Sequence, residues 1–483
     1  MEYPIIFERD AYNDMLIWKK ERDKRSGQGA RALEIRGPRQ CGKTTLMNEF
    51  ARNNYEQIVS IHLGNAEHQS ERDRWQTWIK QTDGLAQPEN KHRCIYNLLH
   101  RFNPDFKDSA STVILVDEVQ NCPHIYSLIR QIAWEFEAHL IISGSYLAHI
   151  AESKDYFLPA GAVTRIDLTS LSFVEFLGIF GRRRELYESV DLYGGSPPEN
   201  YAELRNLYEI YTKTGGYPTV IQKYLEGKGL GEIRQELTNI VHVFSEEVTR
   251  YMKSVVEKTL FSAILSGVAE LMAKEKKGIS DIPNKLLKLC KKEGTLKISR
   301  DAIVSAVAWL EECGILYFAH KSNNCKFNDI SFNARYYFAD IGLASLFVED
   351  WADAGTVSGL VAENFAYLQL KPSMSKQNLL PNKPAFGVLG NGEIDFVVFN
   401  KNRGSSYAIE VKSGKSISAT ANSLLERGII DFVIYAKGDT KDGIVGNKIT
   451  IPLTLLGRFE FKDYTGNALQ MRKLPEPPKA MHL

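Results

Sequence analysis

Between residues 31 and 145, short apolar runs alternate with amphipathic stretches, the rhythm of strands and helices in a parallel sheet. The runs Ala32–Arg36, Gln57–Leu63, Ser111–Val116 and His139–Ser143 read as buried strands. TVILV, apolar-rich and bounded by charge or turn signals, suits a strand covered on both faces. From Ser170 to about Glu257 the strands disappear. SFVEFLGIF and AELRNLYEIYTKTGGYPTVIQKYL have helical periodicity instead, with a break at Gly215-Gly216-Tyr217-Pro218.

Residues 258–345 have the pattern of a winged helix. LFSAILSGVAELMAK is helical, and ISRDAIVSAVAWLEECGIL reads as a helix capped near Ser299 and Asp301 and stopped at Gly314 before a strand. KFNDISFNARYYFADIGLASLF supplies a last strand and an exit helix. Residues 356–465 return to α/β: the helix GLVAENFAYLQL is followed by the strands EIDFVVF, SYAIEVK and IIDFVIYA. The tail KLPEPPKAMHL is Pro-rich and is expected to be ordered only where it docks. No internal repeat interrupts this order.

A chain of 483 residues exceeds one ordinary core. The expected division is a first domain over 1–169, a helical lid and linker over 170–257, a winged-helix domain over 258–355 and a last α/β domain over 356–483. Lys plus Arg number 60 against 59 for Asp plus Glu, so any nucleic acid or anionic membrane must be met by a local patch. The N-terminus lacks a basic start leading into an apolar run, and no stretch approaches the length of a membrane span. Six cysteines without a CxxC pair argue against a zinc site or disulfide framework; a reducing cytoplasm is the expected location.

Gly37-Pro38-Arg39-Gln40-Cys41-Gly42-Lys43-Thr44 fits GxxxxGK[ST], follows an expected strand and, with Thr45, opens a helix. Gly37 and Gly42 let the backbone curl so that successive N–H groups face phosphate oxygens at a helix N-terminus. Lys43 would reach the β- and γ-phosphates of ATP, and Thr44 would offer its hydroxyl to Mg²⁺. The run Ser111–Val116 delivers Asp117 and Glu118 at its tip. Asp117 is expected to hold Mg²⁺, and Glu118 to orient and deprotonate the attacking water. A third strand ends in Ser143 and Ser145, either of which could sense the γ-phosphate. Arg165 is a candidate arginine finger, and a surface arginine flanking a strand is the competing reading. A finger acting in trans requires a homo-oligomer.

RGPRQCGKTTL, VILVDEVQ, ISGS and LTSLSFVEFL, in this order, resemble a large group of prokaryotic AAA+-type ATPases over about the first 225 residues. Cys41 stands where Val is usual, Ser170 where Pro is usual, and Thr164 where Gly precedes the late arginine. The resemblance implies a P-loop NTPase three-layer core followed by a helical lid. It also implies a C-terminal winged-helix part and a region similar to restriction-endonuclease-like PD-(D/E)xK folds.

In that last region the strand period of EIDFVVF sets Asp395 opposite Ile394 and Phe396. In SYAIEVKSG, Glu410 and Lys412 share a face while Ile409 and Val411 point the other way. Joined through the turn Asn402–Ser405, the two strands would gather Asp395, Glu410 and Lys412. Glu363, on the preceding helix, stands where this fold often adds a metal-site acid. Two carboxylates brought close call for a cation, and Mg²⁺ is the expected occupant, with Lys412 polarising water or stabilising a phosphate. An ordinary solvated hairpin is the alternative. Lys285, Lys288, Lys291, Lys292, Lys297 and Arg300 against Glu293 could meet a phosphate backbone from the winged helix, or form a solvated face.

These observations support a Mg²⁺-dependent ATPase governing a C-terminal module that binds, and as a nuclease would cleave, DNA or RNA. The rival readings are a slow ATP-dependent switch gripping a protein partner, and a metal-dependent nuclease that ATP merely licenses.

Overall fold

The computed structural model describes residues 6–25, 27, 29–64, 77, 88–122, 125–145, 161–251, 258–274, 282–292, 299–412, 418–438, 443–462 and 464. The Pro-rich tail lies outside these residues, as do Glu293 and Lys297 of the basic run.

The N-terminal part is built on β1 (Ala32–Arg36), β2 (Gln57–His62), β3 (Thr112–Asp117), β4 (His139–Gly144) and β5 (Val163–Asp167). They form a parallel sheet in the order β2-β3-β4-β1-β5. Alternation sends Leu33, Ile35, Val113, Leu115 and Ile141 to one face, where α1 (Ala11–Asp23) and α2 (Lys43–Asn54) cover them. Ala32, Ile114, Val116, Leu140 and Ile142 face α3 (Pro88–Phe102) and α4 (Ile125–Glu135). Sheet and helices thus make three layers with two apolar seams, as the apolar runs predict.

Helices α5 (Phe173–Gly178), α6 (Arg183–Ser189), α7 (Pro198–Thr214), α8 (Pro218–Leu225) and α9 (Leu230–Tyr251) follow. Helix α5 starts with a capping box in which Ser172 accepts from the Glu175 amide while Glu175 accepts from the Ser172 amide. Beyond lie α10 (Lys258–Lys274), α11 (Ile282–Lys292) and α12 (Arg300–Glu312). The Ser299 hydroxyl caps α12, and Gly314 ends it at φ +68°, both as the sequence predicts.

The second sheet runs β12-β13-β11-β10-β9-β8-β6-β7. Its strands are β6 (Leu316–Asn323), β7 (Ile330–Phe338), β8 (Ala385–Leu389), β9 (Gly392–Asn400), β10 (Ser405–Lys412), β11 (Phe432–Lys437), β12 (Ile444–Val445) and β13 (Lys448–Pro452). Helices α13 (Ile341–Val348), α14 (Ala354–Lys376) and α15 (Ala419–Glu426) complete it. The β6–β7 hairpin expected as a wing does not stand alone: β6 pairs in parallel with β8 and carries the hairpin onto this sheet. One continuous apolar cluster correspondingly runs from Leu171 through α7, α9, α10, α12 and α14 to Tyr464.

Strand β9 departs from simple alternation. Ala385 pairs with Val397 but Gly387 with Ile394, so β9 spends one residue more than β8 over this stretch. Ile394 therefore packs beneath α15, whereas Phe396 packs on the α14 face. The expectation that Ile394 and Phe396 share a face opposite Asp395 is corrected by this bulge, which lies at Asp395 itself.

Candidate nucleotide site

Gly37 leaves β1 at φ +150°, and a Cβ there would sit 1.8 Å from the Leu168 carbonyl oxygen. Gln40 (φ +63°) and Gly42 (φ +95°) complete a left-handed curl into α2. Inside it, Lys43 Nζ donates to the carbonyls of Gly37 (3.1 Å) and Pro38 (2.8 Å) and to Ser145 Oγ (2.8 Å). The buried Cys41 thiol donates back to the Pro38 carbonyl at 3.0 Å, which shows how a thiol fits where Val is usual.

Strand β4 lies between β1 and β3, so Ser143 and Ser145 reach the gap between the loop and the β3 tip. The two serines differ in their partners. Ser143 Oγ donates to Asp117 Oδ1 and Ser145 Oγ accepts from Lys43; both residues are fully buried. Thr44 Oγ1 donates to Asp117 Oδ2 at 2.6 Å, and His62 Nε2 lies 3.6 Å from the same oxygen. Glu118, at φ +58°, turns back toward the loop, where Arg39 Nη2 meets its Oε2 at 3.0 Å and Gln120 donates to the same oxygen. Gln120 Oε1 in turn accepts from the Ser145 amide at 3.2 Å.

A cavity of about 370 Å³ opens over Lys43, Thr44, Thr45 and Glu118 and is closed on the far side by Phe7, Pro218 and Val243. Thr44 and Asp117 are hard oxygen donors at one point, which fits Mg²⁺ held by few protein ligands with phosphates supplying the rest. Among the described residues no group of three or more His, Cys, Asp and Glu side chains is arranged to hold a metal ion by itself.

Residues 30–177 match the family described as AAA domain. This segment is an AAA-type, nucleotide-binding ATPase domain. No curated protein matches the chain. Among solved structures, the Walker-type ATPase of Pyrococcus abyssi aligns at 14% identity and TM-score 0.40, over 71% of this chain and 96% of that one. The Aeropyrum pernix ORC2 protein in ADPNP–ADP complexes aligns at 13% identity and TM-score 0.39, over 76% and 97%. Likenesses this loose bear on neither substrate nor partner.

Sequence reasoning missed Arg9, which holds the AAA domain's loop from behind. Its buried guanidinium donates to Glu175 Oε1 (3.0 Å), the Cys41 carbonyl (2.8 Å) and the Thr169 carbonyl (2.7 Å). Arg165 is not brought to this chain's nucleotide cavity. It lies across from Glu34 on β5 and donates to Glu34 Oε2 at 2.9 Å, beside Arg36 on the same carboxylate.

The other sequence-derived cluster lies at the β9 bulge. Asp395 Oδ2 accepts from the Val411 amide at 2.8 Å, replacing the ladder partner that β9 no longer supplies beyond Ile409–Phe396. Burial first, then Glu363 and Glu410, hold the Asp395 carboxyl well above its ordinary range. Glu410 accepts from Lys412 Nζ (2.6 Å) and Ser418 Oγ (2.9 Å). Glu363 accepts from Tyr337 (2.8 Å) and Arg335 (3.3 Å), and Arg335 also meets Glu393 at 2.8 Å. The structure thus gathers Glu363, Asp395, Glu410 and Lys412, but their carboxylates are spent on internal cations and donors. The Mg²⁺ expected between Asp395 and Glu410 does not fit this arrangement. Of the basic run, Lys285 and Lys288 lie on α11 and Arg300 on α12.

Proposed function

We propose that the chain is a Mg²⁺-dependent ATP hydrolase whose nucleotide state governs a C-terminal nucleic-acid-binding half. The observation that carries the reading is the meeting of the Lys43 cradle, the Thr44–Asp117 pair and Glu118 in one cavity. Lys43 exchanges its carbonyl and Ser145 partners for phosphate oxygens, while the loop amides bind the remaining charge. Thr44 and Asp117 would hold Mg²⁺, which when bound would supply charge neutralisation for the β- and γ-phosphates. Glu118 takes a proton from the water that attacks the γ-phosphorus, and the bond from that phosphorus to the bridging oxygen breaks toward ADP. Arg39 and Gln120 hold Glu118 until a nucleotide arrives, and Ser145 reports the γ-phosphate through Lys43. An arginine finger at Arg165 would serve a neighbouring subunit of a homo-oligomer, after leaving Glu34.

The domain reading is an AAA core over 1–169, a lid over 170–257, a winged-helix part over 258–355 and a PD-(D/E)xK-like part over 356–483. A tight joint supports coupling between them. Asp340 caps α13 through the Leu343 amide (3.1 Å) and also accepts from the Gly216 amide at 2.8 Å. A Cβ on Gly215 would lie 2.2 Å from Asp340 Oδ1, and one on Gly216 would lie 2.0 Å from the Leu171 carbonyl oxygen. Three residues on from Gly216, Thr219 lines the nucleotide cavity. A nucleotide that shifts α8 would act on α13 through the Gly215–Gly216 link, where no side-chain space separates Gly215 from Asp340.

The test is ATP turnover with and without added single-stranded and duplex nucleic acid. Stimulation that falls steeply as salt rises is expected. Turnover indifferent to nucleic acid at low salt would remove the coupling and favour a switch acting on a protein partner.

A further inference from the structure

Helix α7 presents Tyr201, Arg205, Tyr208, Glu209, Thr212 and Lys213 along one stripe, at spacings of one and two helical turns. Its opposite face, with Leu204, Leu207 and Tyr211, is buried. The stripe forms one wall of a cleft of about 620 Å³. The start of α14 forms the floor, and the ends of β10 and β11, with Lys412 and Lys437, form the facing wall.

The charges in this cleft are not balanced. Glu349 at its rim is taken by Arg234. With Lys412 likewise taken by Glu410, that leaves Glu209 against Arg205, Lys213 and Lys437. Neighbouring arginines on the same lid are paired: Arg183 with Glu203 at 2.7 Å, and Arg184 with Asp10 at 2.6 Å. Among the described residues neither Arg205 nor Lys213 has an ion-pair partner. Lys437 rests over the Tyr435 ring, 5.2 Å from its centroid, and Lys412 bridges from the cleft to Glu410.

We propose that this cleft binds single-stranded nucleic acid, its phosphodiesters running between Arg205 and Lys213 on α7 and Lys437 at the end of β11. The inference rests on the nucleic-acid part of the proposed function and names its binding surface, which is not the α11 face. Cations on two facing walls suit a chain with phosphates accessible from both sides. A duplex offers its phosphates on a broad convex surface, whereas a single strand can follow a cleft with cations on both walls. Because the nearby carboxylates are neutralised by Lys412 and Arg335, the cleft grips the strand without a metal ion. Helix α7 ends at the Gly215–Gly216 joint, and the next helix, α8, supplies Pro218, Thr219 and Gln222 to the nucleotide cavity.

The test is fluorescence anisotropy of labelled DNA and RNA strands of about 15 nucleotides, within the size range of single-strand sites. Wild type is compared with the double variants Arg205→Glu/Lys213→Glu and Lys285→Glu/Lys288→Glu, with unchanged basal ATP turnover certifying the fold of each. The cleft variant should bind at least roughly tenfold more weakly, and its salt dependence should lose about 1.4 in slope for two charges at about 0.7 each. The α11 variant should bind within about twofold of wild type, as a surface outside the contact would. Equal affinity in wild type and cleft variant would overturn the cleft alone. A duplex competing as well as the strand would overturn the single-strand assignment. Wild type binding neither at low salt would remove this proposal together with the nucleic-acid part of the function, leaving the ATPase reading intact.

Discussion

The hydroxyl of Thr44 donates to Asp117 Oδ2 at 2.6 Å, tying the first residue pair of α2 to the tip of a strand two positions away in the sheet. In the proposed function both oxygens would become ligands of Mg²⁺ arriving with nucleotide, and the hydrogen-bonded pair would be the resting form of that site. Asp117→Asn should raise the Mg²⁺ concentration for half-maximal ATP turnover by at least about tenfold, as loss of a charged ligand implies. Nucleotide binding measured in EDTA should stay unchanged. An unaltered Mg²⁺ requirement in this variant would take Asp117 out of the metal site.

Arg9 and Glu175 form an ion pair whose side chains are only 6% and 7% exposed. Removing the arginine strands a buried carboxylate and leaves the Cys41 and Thr169 carbonyls without that donor. Arg9→Ala should therefore cost about 3–5 kcal/mol in denaturant unfolding. Through the Cys41 carbonyl it should also loosen the phosphate loop and weaken ATP binding. A loss under about 1 kcal/mol would mean that water reaches this site and replaces the arginine.

How much of this was legible in the sequence depends on how local each signal is. The runs at β1, β3 and β4 are apolar and sharply bounded, and their ends match expectation to within a residue. The edge strand β5 was not among the expected strands, because VTRID exposes polar residues and lacks a continuous apolar run. Arg9 was invisible because Glu175 lies 166 residues away and Arg9 carries no motif. The bulge at Asp395 could not be read because two-residue periodicity has no mark for an extra residue; only pairing with β8 reveals it. Pairing of β6 with β8 is likewise nonlocal, so a hairpin that looks like a free wing turns out to extend the second sheet.

His139 is buried on β4, with Tyr55 Oη 2.7 Å from its Nδ1 and Arg22, Asp23 and Lys19 around it. Burial first, then Arg22, pushes it down from 6.5 to about 4. The folded state thus resists a proton that the unfolded chain accepts. The resulting stability is fully present above pH 6.5 and is lost as pH falls from 6.5 toward about 4, up to roughly 3 kcal/mol. Urea midpoints at about pH 7.5 and about pH 5.5 should diverge in wild type and converge in His139→Asn. The same drop in both proteins would place the sensitivity elsewhere.

The cluster of Glu363, Asp395, Glu410 and Lys412 should hold a strand's neighbourhood together without cutting it. Labelled single strands incubated with Mg²⁺ or Mn²⁺ should stay intact, and Asp395→Ala should lower thermal stability by removing the acceptor of the Val411 amide. Metal-dependent cleavage that vanishes in Asp395→Ala would show that a metal displaces Lys412 and Arg335 and that the centre is a nuclease.

The central claim is that Lys43 and Glu118 divide binding from chemistry in one cavity. Its most direct test is ATP binding and Mg²⁺-dependent turnover measured side by side on wild type, Lys43→Ala and Glu118→Gln. Wild type should bind and hydrolyse, and Lys43→Ala should do neither. Glu118→Gln should bind as wild type does while turning over at least about a hundredfold more slowly, the span expected for losing a general base. Wild-type turnover in either variant would contradict the account.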